Sequence, residues 1–201
     1  TRDVRTRVRA FLATFGFWLG YFWMARVLFL LYHRAEATAL PVGELALTFV
    51  KGFRLDASGA AYLTALPAAL LVLSAFRPLL RTLPALLWTW IGIAVTGCTL
   101  LIGADLELFR HWDRRIDGMV IEYLKTPVEA LASTGGTPRA TLTLVTVLFG
   151  AAALTAFRRW VTPAWTRLEP IHPAWSVPAL LFIGLLVIPA RGGVQTVSVT
   201  Q

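Results

Sequence analysis

The chain has 201 residues, of which 57% are hydrophobic and only 15% charged, with a mean hydropathy of +0.66. Soluble globular domains carry about a quarter charged residues, so composition excludes an ordinary soluble fold and points to a polytopic membrane protein built from windows of about 20 apolar residues. The net charge of +8 does not make a nucleic-acid binder, because the arginines cluster at the ends of apolar spans, where positive charge sets topology.

The predicted fold is all-α, with five transmembrane helices at about residues 10–32, 57–76, 83–103, 140–157 and 175–190. The first is rich in Phe, Trp and Leu, and is too long, with no small-residue cleavage site, to be a cleaved signal peptide. The second ends at Arg77-Pro78, and the fifth is short enough to start in the interface. Residues 191–201 read as the start of an outer connector, and the Thr1 start and polar tail read as the edges of a segment trimmed from a longer protein.

Orientation follows from where the basic residues lie. With the N-terminus inside, the short inner segments hold Arg2, Arg5, Arg7, Arg9, Arg77, Arg81, Arg158, Arg159 and Arg167 against Asp3 and Glu169. The outer segments are longer and mix acids with bases, so the expected topology is N-terminus in and C-terminus out. Two outer stretches read as interfacial helices. In residues 43–56, Leu45, Phe49 and Phe53 recur at four-residue spacing; in residues 116–133, Ile116, Met119, Val120, Tyr123 and Leu124 follow an amphipathic pattern. Pro127 would kink or restart the second. No internal repeat of the kind that builds alternating-access transporters is visible.

Each chemical constellation has a plainer structural reading. Asp105, Glu107, Asp113 and Asp117 are oxygen-rich, but Arg110, Arg114 and Arg115 interleave with them, so mutual neutralisation outweighs a cation site. Arg54 and Asp56 open the second span, where charges either pair at headgroup depth or contact a lipid phosphate or an attached domain. Arg26, near the end of the first span, is expected to snorkel to the outer headgroups, the alternative being a polar contact inside the bundle. His33, His111 and His172 have no metal spacing, and Cys98 is alone in mid-span. Asp56-Ala57-Ser58-Gly59 lacks the leading glycine of an intramembrane serine-protease motif, and no span carries a histidine base. The tryptophans read as belt or packing residues.

Four stretches, in order, resemble the N-terminal membrane domain of the lipoteichoic acid synthase and phosphoglycerol transferase group, within the sulfatase and alkaline-phosphatase superfamily. They are 26–32 (Arg-Val-Leu-Phe-Leu-Leu-Tyr); Gly52-Phe53-Arg54-Leu55-Asp56 with Ala61, Tyr62 and Pro67; Ala104-Asp105 with Glu107, Arg115, Asp117, Tyr123, Pro127, Glu129 and Ser133; and Arg191-Gly192-Gly193. The resemblance implies a membrane anchor in the cytoplasmic membrane of a bacterium, followed by an extracytoplasmic α/β catalytic domain with a Thr nucleophile and manganese or another divalent metal. That domain transfers phosphoglycerol from phosphatidylglycerol; no catalytic residue or cofactor is expected within residues 1–201. Arg54, Asp56, Asp105, Glu107, Arg115, Asp117 and Lys125 are then the expected outer-face cluster for lipid headgroups or the docked domain. Within it, Arg54, Asp56, Arg115 and Asp117 are expected to interlock. The rival expectations are a stand-alone membrane binding or scaffold protein and, third, a transporter.

Overall fold

A computed structural model describes residues 2–75, 80–112 and 139–169, with Gly184, Leu186, Val187 and Ala190. Among them there is no strand. The helices are α1 (Arg2–Tyr32), the short α2 (Arg34–Thr38), α3 (Val42–Leu73), α4 (Leu83–Trp112) and α5 (Arg139–Ala156). A π turn, Phe157–Val161, and a last short helix, α6 (Thr162–Trp165), continue α5. Among the described residues, four stretches are long and apolar enough to cross a membrane: Val4–Tyr32, Val42–Leu73, Leu83–Arg110 and Arg139–Trp165. The expected fifth span, residues 175–190, lies almost wholly outside the described residues, as do the expected amphipathic helix at 116–133 and the connector at 191–201.

The helices run longer than the sequence pattern predicts. Residues 43–56 are not a separate interfacial helix, because α3 is one uninterrupted helix of 32 residues. No proline lies between Pro41 and Pro67, and the three glycines Gly43, Gly52 and Gly59 cost of order 1 kcal/mol each, too little to stop the helix at any of them. The Leu45–Phe49–Phe53 stripe does not pack as one line against the protein. Phe53 is exposed, and the protected line bends from Phe49 through Gly52 to Asp56. At about 1.5 Å per residue, α3 is about 48 Å long, so it outreaches a hydrocarbon core of about 30 Å. Its start is set by Pro41, whose carbonyl accepts the Glu44 and Leu45 amides, and Glu44 suits the positive end of the helix dipole.

The coordinates divide into two compact units, Thr1–Gly92 with Leu154–Gln201, and Ile93–Ala153. In the first, α1 lies against α3, the π turn and α6. The buried line of α1 is Arg7, Ala10, Thr14, Trp18 and Tyr21, the three- and four-residue spacing of a helix seam. The buried line of α3 is made of small residues, with Ala57, Ala60, Ala61, Thr64 and Ala68. Lipid gives helices little hydrophobic reason to associate, so close approach over small side chains supplies the attraction. The ring of Phe22 shows the fit: it comes 3.0 Å from the place a side chain on Gly59 would begin.

Among the described residues of this unit, two prolines interrupt the backbone ladder of a helix, and the chain answers each in a different way. Pro67 has no N–H for the carbonyl four residues back, Leu63; the Trp90 indole N–H donates to that carbonyl at 3.1 Å. Pro163 cannot serve Arg159 in the same way, and its ring crowds that carbonyl. The helix there widens to the π turn, in which the Thr162 amide donates to Phe157 five residues back. Phe157 is fully buried, edge-on to Phe17 at 5.1 Å and to Trp88 at 5.5 Å.

In the second unit, two glycine–threonine contacts share one antiparallel register. Thr146 Oγ1 lies 2.7 Å from the place of a side chain on Gly103, and Thr99 Cγ2 lies 3.4 Å from that on Gly150.

Replacing Trp90 by Phe strands the Leu63 carbonyl and is expected to cost about 1–3 kcal/mol of unfolding free energy. In a Pro67→Ala background the carbonyl regains its own helical donor, so the same substitution becomes mild. Unfolding in mixed micelles measures both, and equal costs in the two backgrounds would contradict this account of Trp90.

Candidate functional site: two arginine clamps

Asp56 is the buried charge of α3, and its partner comes from α1. Arg26 Nη2 donates to both carboxylate oxygens, at 2.8 and 2.9 Å. The two side chains are 15% and 8% exposed. The Arg26 guanidinium lies 5.9 Å from the centre of the Phe49 ring, within cation–π range. Trp23 of α1 also stands edge-on to Phe49, with ring centres 6.3 Å apart. Between Phe49 and Asp56 lies Gly52, and the guanidinium occupies the space a side chain there would take. Phe49, Gly52 and Asp56 thus form one face of α3 shaped as a notch for Arg26.

The other end of the same helix pair carries a second arginine, Arg7, also buried. Its Nε donates to Ser74 Oγ at 3.1 Å, and Nη2 donates to the carbonyls of Ser74 at 3.3 Å and Glu169 at 2.9 Å. Ser74 caps the C-terminal end of α3, where carbonyls lack helical donors and the dipole is negative. A cation there meets both needs. Next along α1, Thr14 donates to the Ala10 carbonyl and accepts from the Trp165 indole at 3.1 Å, which ties α6 to the same seam.

Arg26 meets Asp56, Phe22 meets Gly59 and Arg7 meets Ser74, so α1 and α3 are antiparallel in one continuous register. Arg7 and Arg26 are separated along α1 by about 28 Å at 1.5 Å per residue, close to the roughly 30 Å of a hydrocarbon core. Between Asp56 and Ser74, α3 carries no charged residue. The two clamps therefore bracket the apolar length of the hairpin.

The expected outer cluster is only partly within view. Arg54 is on the exposed face of α3, away from Asp56, which turns inward to Arg26. The expected snorkelling of Arg26 gives way to this pair, because a carboxylate within reach neutralises the charge better than a stretched side chain does. Asp105 and Glu107 are buried on α4 in the second unit, with Glu107 Oε1 3.6 Å from Arg110 Nη1. Arg115, Asp117 and Lys125 lie outside the described residues, so the interlocking of Arg54, Asp56, Arg115 and Asp117 does too. Among the described residues no group of three or more His, Cys, Asp or Glu could hold a metal ion. Ser58 donates its hydroxyl to the Ala190 carbonyl at 2.8 Å, a partner that cannot act as a base.

Sequence reasoning missed both Arg7 and the pairing of Arg26. The available signal was the four-residue row Gly52, Asp56, Ala60, Thr64 and Ala68, a small-residue seam with one acid in it. No protein-family model, curated protein or solved structure matches this chain.

The notch makes a signed prediction. Gly52→Ala gains about 1 kcal/mol of helix propensity but displaces the guanidinium from Asp56, and breaking such a pair costs about 3–5 kcal/mol. The substitution is therefore expected to destabilise by about 2 kcal/mol or more. In an Arg26→Met/Asp56→Leu background only the propensity gain remains, and Gly52→Ala is expected to stabilise. Reversible unfolding in micelles reads both signs; the same sign in both backgrounds would refute the notch.

Proposed function

We propose that this chain is the membrane-spanning part of a lipoteichoic acid synthase-like phosphoglycerol transferase of the sulfatase superfamily, in the cytoplasmic membrane of a bacterium. Its role is to hold an extracytoplasmic catalytic domain beside the headgroups of its lipid donor, phosphatidylglycerol, which raises the local concentration of one for the other. Five spans with the N-terminus inside and the C-terminus outside belong to this reading. So does a catalytic domain beyond Gln201, and any manganese or other divalent metal would be held there.

The observation that carries the proposal is the hairpin clamped at both ends. A transporter of the rocking type carries its substrate site near the middle of the membrane, on interrupted helices, whereas α1 and α3 are continuous and tied at Arg26–Asp56 and at Arg7–Ser74 with no charge between Asp56 and Ser74. That suits a fixed platform. The order of the four resembling stretches supplies the choice of enzyme. A stand-alone membrane scaffold would use the same hairpin, and the native polypeptide separates the two. Antibody raised against this segment should capture, from its own cells, a polypeptide well above the 22.1 kDa of the segment. That polypeptide should release diacylglycerol from phosphatidylglycerol when manganese is present. A native product of segment size would favour the scaffold.

Topology has its own test. In a Cys98→Ala background, Ser133→Cys is expected to react with an impermeant thiol reagent in intact cells, and Thr162→Cys only after lysis. Labelling of Thr162→Cys from outside would invert the proposed orientation.

A further inference from the structure

The end of the first unit that holds the Arg7 clamp carries more positive charge than its own structure uses. Arg5, Arg9, Arg81 and Arg167 are exposed there, Arg158 and Arg159 are exposed beside Phe157 at the height of Phe17, and among the described residues none of the six has an ion-pair partner. Most of these arginines fit a general attraction to a membrane surface. Arg5 and Arg9 differ, because they edge a groove.

This groove is shallow and open, of about 540 Å³ between side chains of α1 alone, and is lined by Val4, Val8, Leu12 and Ala13 beside the two arginines. Four-residue spacing stacks Val4, Val8 and Leu12 in one row, with Arg5 and Arg9 in the adjacent row about 5–6 Å apart. The row continues as Gly16 and Gly20. A side chain placed on either glycine would meet nothing within 4 Å. These glycines differ in kind from Gly52 and Gly59, whose missing side chains make room for Arg26 and Phe22. Each costs about 1 kcal/mol in a helix interior relative to alanine, and no contact within the described chain repays that cost. From Arg9 to Gly20 the helix rises about 16 Å, about half of a 30 Å hydrocarbon core. The row is basic at the membrane edge and open and apolar towards the centre.

We infer that this row is a binding site for one anionic phospholipid of the leaflet at the Arg7 end. Its phosphodiester is held by Arg5 and Arg9, and one acyl chain lies along Val8, Leu12, Gly16 and Gly20. Guanidinium groups bind phosphate through paired N–H donors, which gives this pair a specificity that a diffuse field lacks. Gly16 and Gly20 also form a Gly-x-x-x-Gly pattern, the usual packing face for a second helix. A second copy is disfavoured by charge. Two copies in one membrane share an orientation, so α1 packed on α1 would run parallel and set Arg5 and Arg9 of one against those of the other. An anionic lipid turns the same charge into attraction.

The test uses the purified chain in nanodiscs or mixed micelles, with lipid retention read by native mass spectrometry. Wild-type protein is expected to retain phosphatidylglycerol over phosphatidylcholine. Arg5→Gln/Arg9→Gln should weaken that retention about tenfold or more. Gly16→Leu, whose Cβ would meet nothing within 4 Å among the described residues, should weaken it while raising helix stability. Arg158→Gln/Arg159→Gln should leave it nearly unchanged. Several results would overturn the site. They are equal retention of the two lipids, an equal loss on neutralising Arg158 and Arg159, and full retention by Gly16→Leu. A dimer that Gly16→Leu dissolves would assign the row to a second copy instead.

Discussion

Arg26 and Asp56 set the arrangement of the first unit, because neither charge is tolerable, buried between helices at the edge of the hydrocarbon, without the other. An isolated ion loses several kcal/mol on leaving water even after relaxation, so the helices that carry them must lie at the height and rotation that join them. That condition brings the Phe49–Gly52–Asp56 face of α3 onto α1. Once it is met, the small residues below Asp56 face the aromatic seam of α1, and the register runs on to Arg7 and Ser74. The net worth of such a pair is modest, since apolar residues of similar volume often serve as well. Its contribution is to make every other register costly.

The same rule governs the backbone. Water is absent from the bilayer core, so a carbonyl left open by proline must find a donor within the protein. Leu63 finds the Trp90 indole; ahead of Pro163 the bonding itself changes, and the helix widens to a π turn in which Thr162 serves Phe157. The widening has a further effect. It buries Phe157 and Val161 on one side and leaves Arg158, Arg159 and Trp160 exposed on the other. One proline thus accompanies both a packing contact with Phe17 and Trp88 and an exposed basic, aromatic patch beside it.

Much of the architecture is legible in the sequence because the bilayer imposes one strong pattern. Four apolar stretches appear where hydropathy places them, and the starts of α4 and α5 fall at or next to the expected residues. Helix ends are less legible. Hydropathy marks where a chain leaves lipid, whereas helices stop where caps, prolines and loops make them stop. For that reason α3 begins at Val42, well before the expected 57, and α4 runs on past Asp105 and Glu107. The clamps were hidden for another reason. Arg26 and Asp56 are 30 positions apart, and only the antiparallel register of two long helices shows that they meet. Arg7 looks like one more positive residue at a span end until the capping of Ser74 is seen.

The central claim is that Arg7 and Arg26 mark the two edges of the membrane on one hairpin. Nitroxide labels at Leu12, Gly16, Gly20 and Met24, read in lipid nanodiscs by their relative accessibility to oxygen and to a water-soluble nickel complex, test it directly. The account predicts that depth peaks near Gly16, midway between the clamps, and falls towards Met24. A peak at Met24, or uniform access of the nickel complex along all four positions, would contradict it.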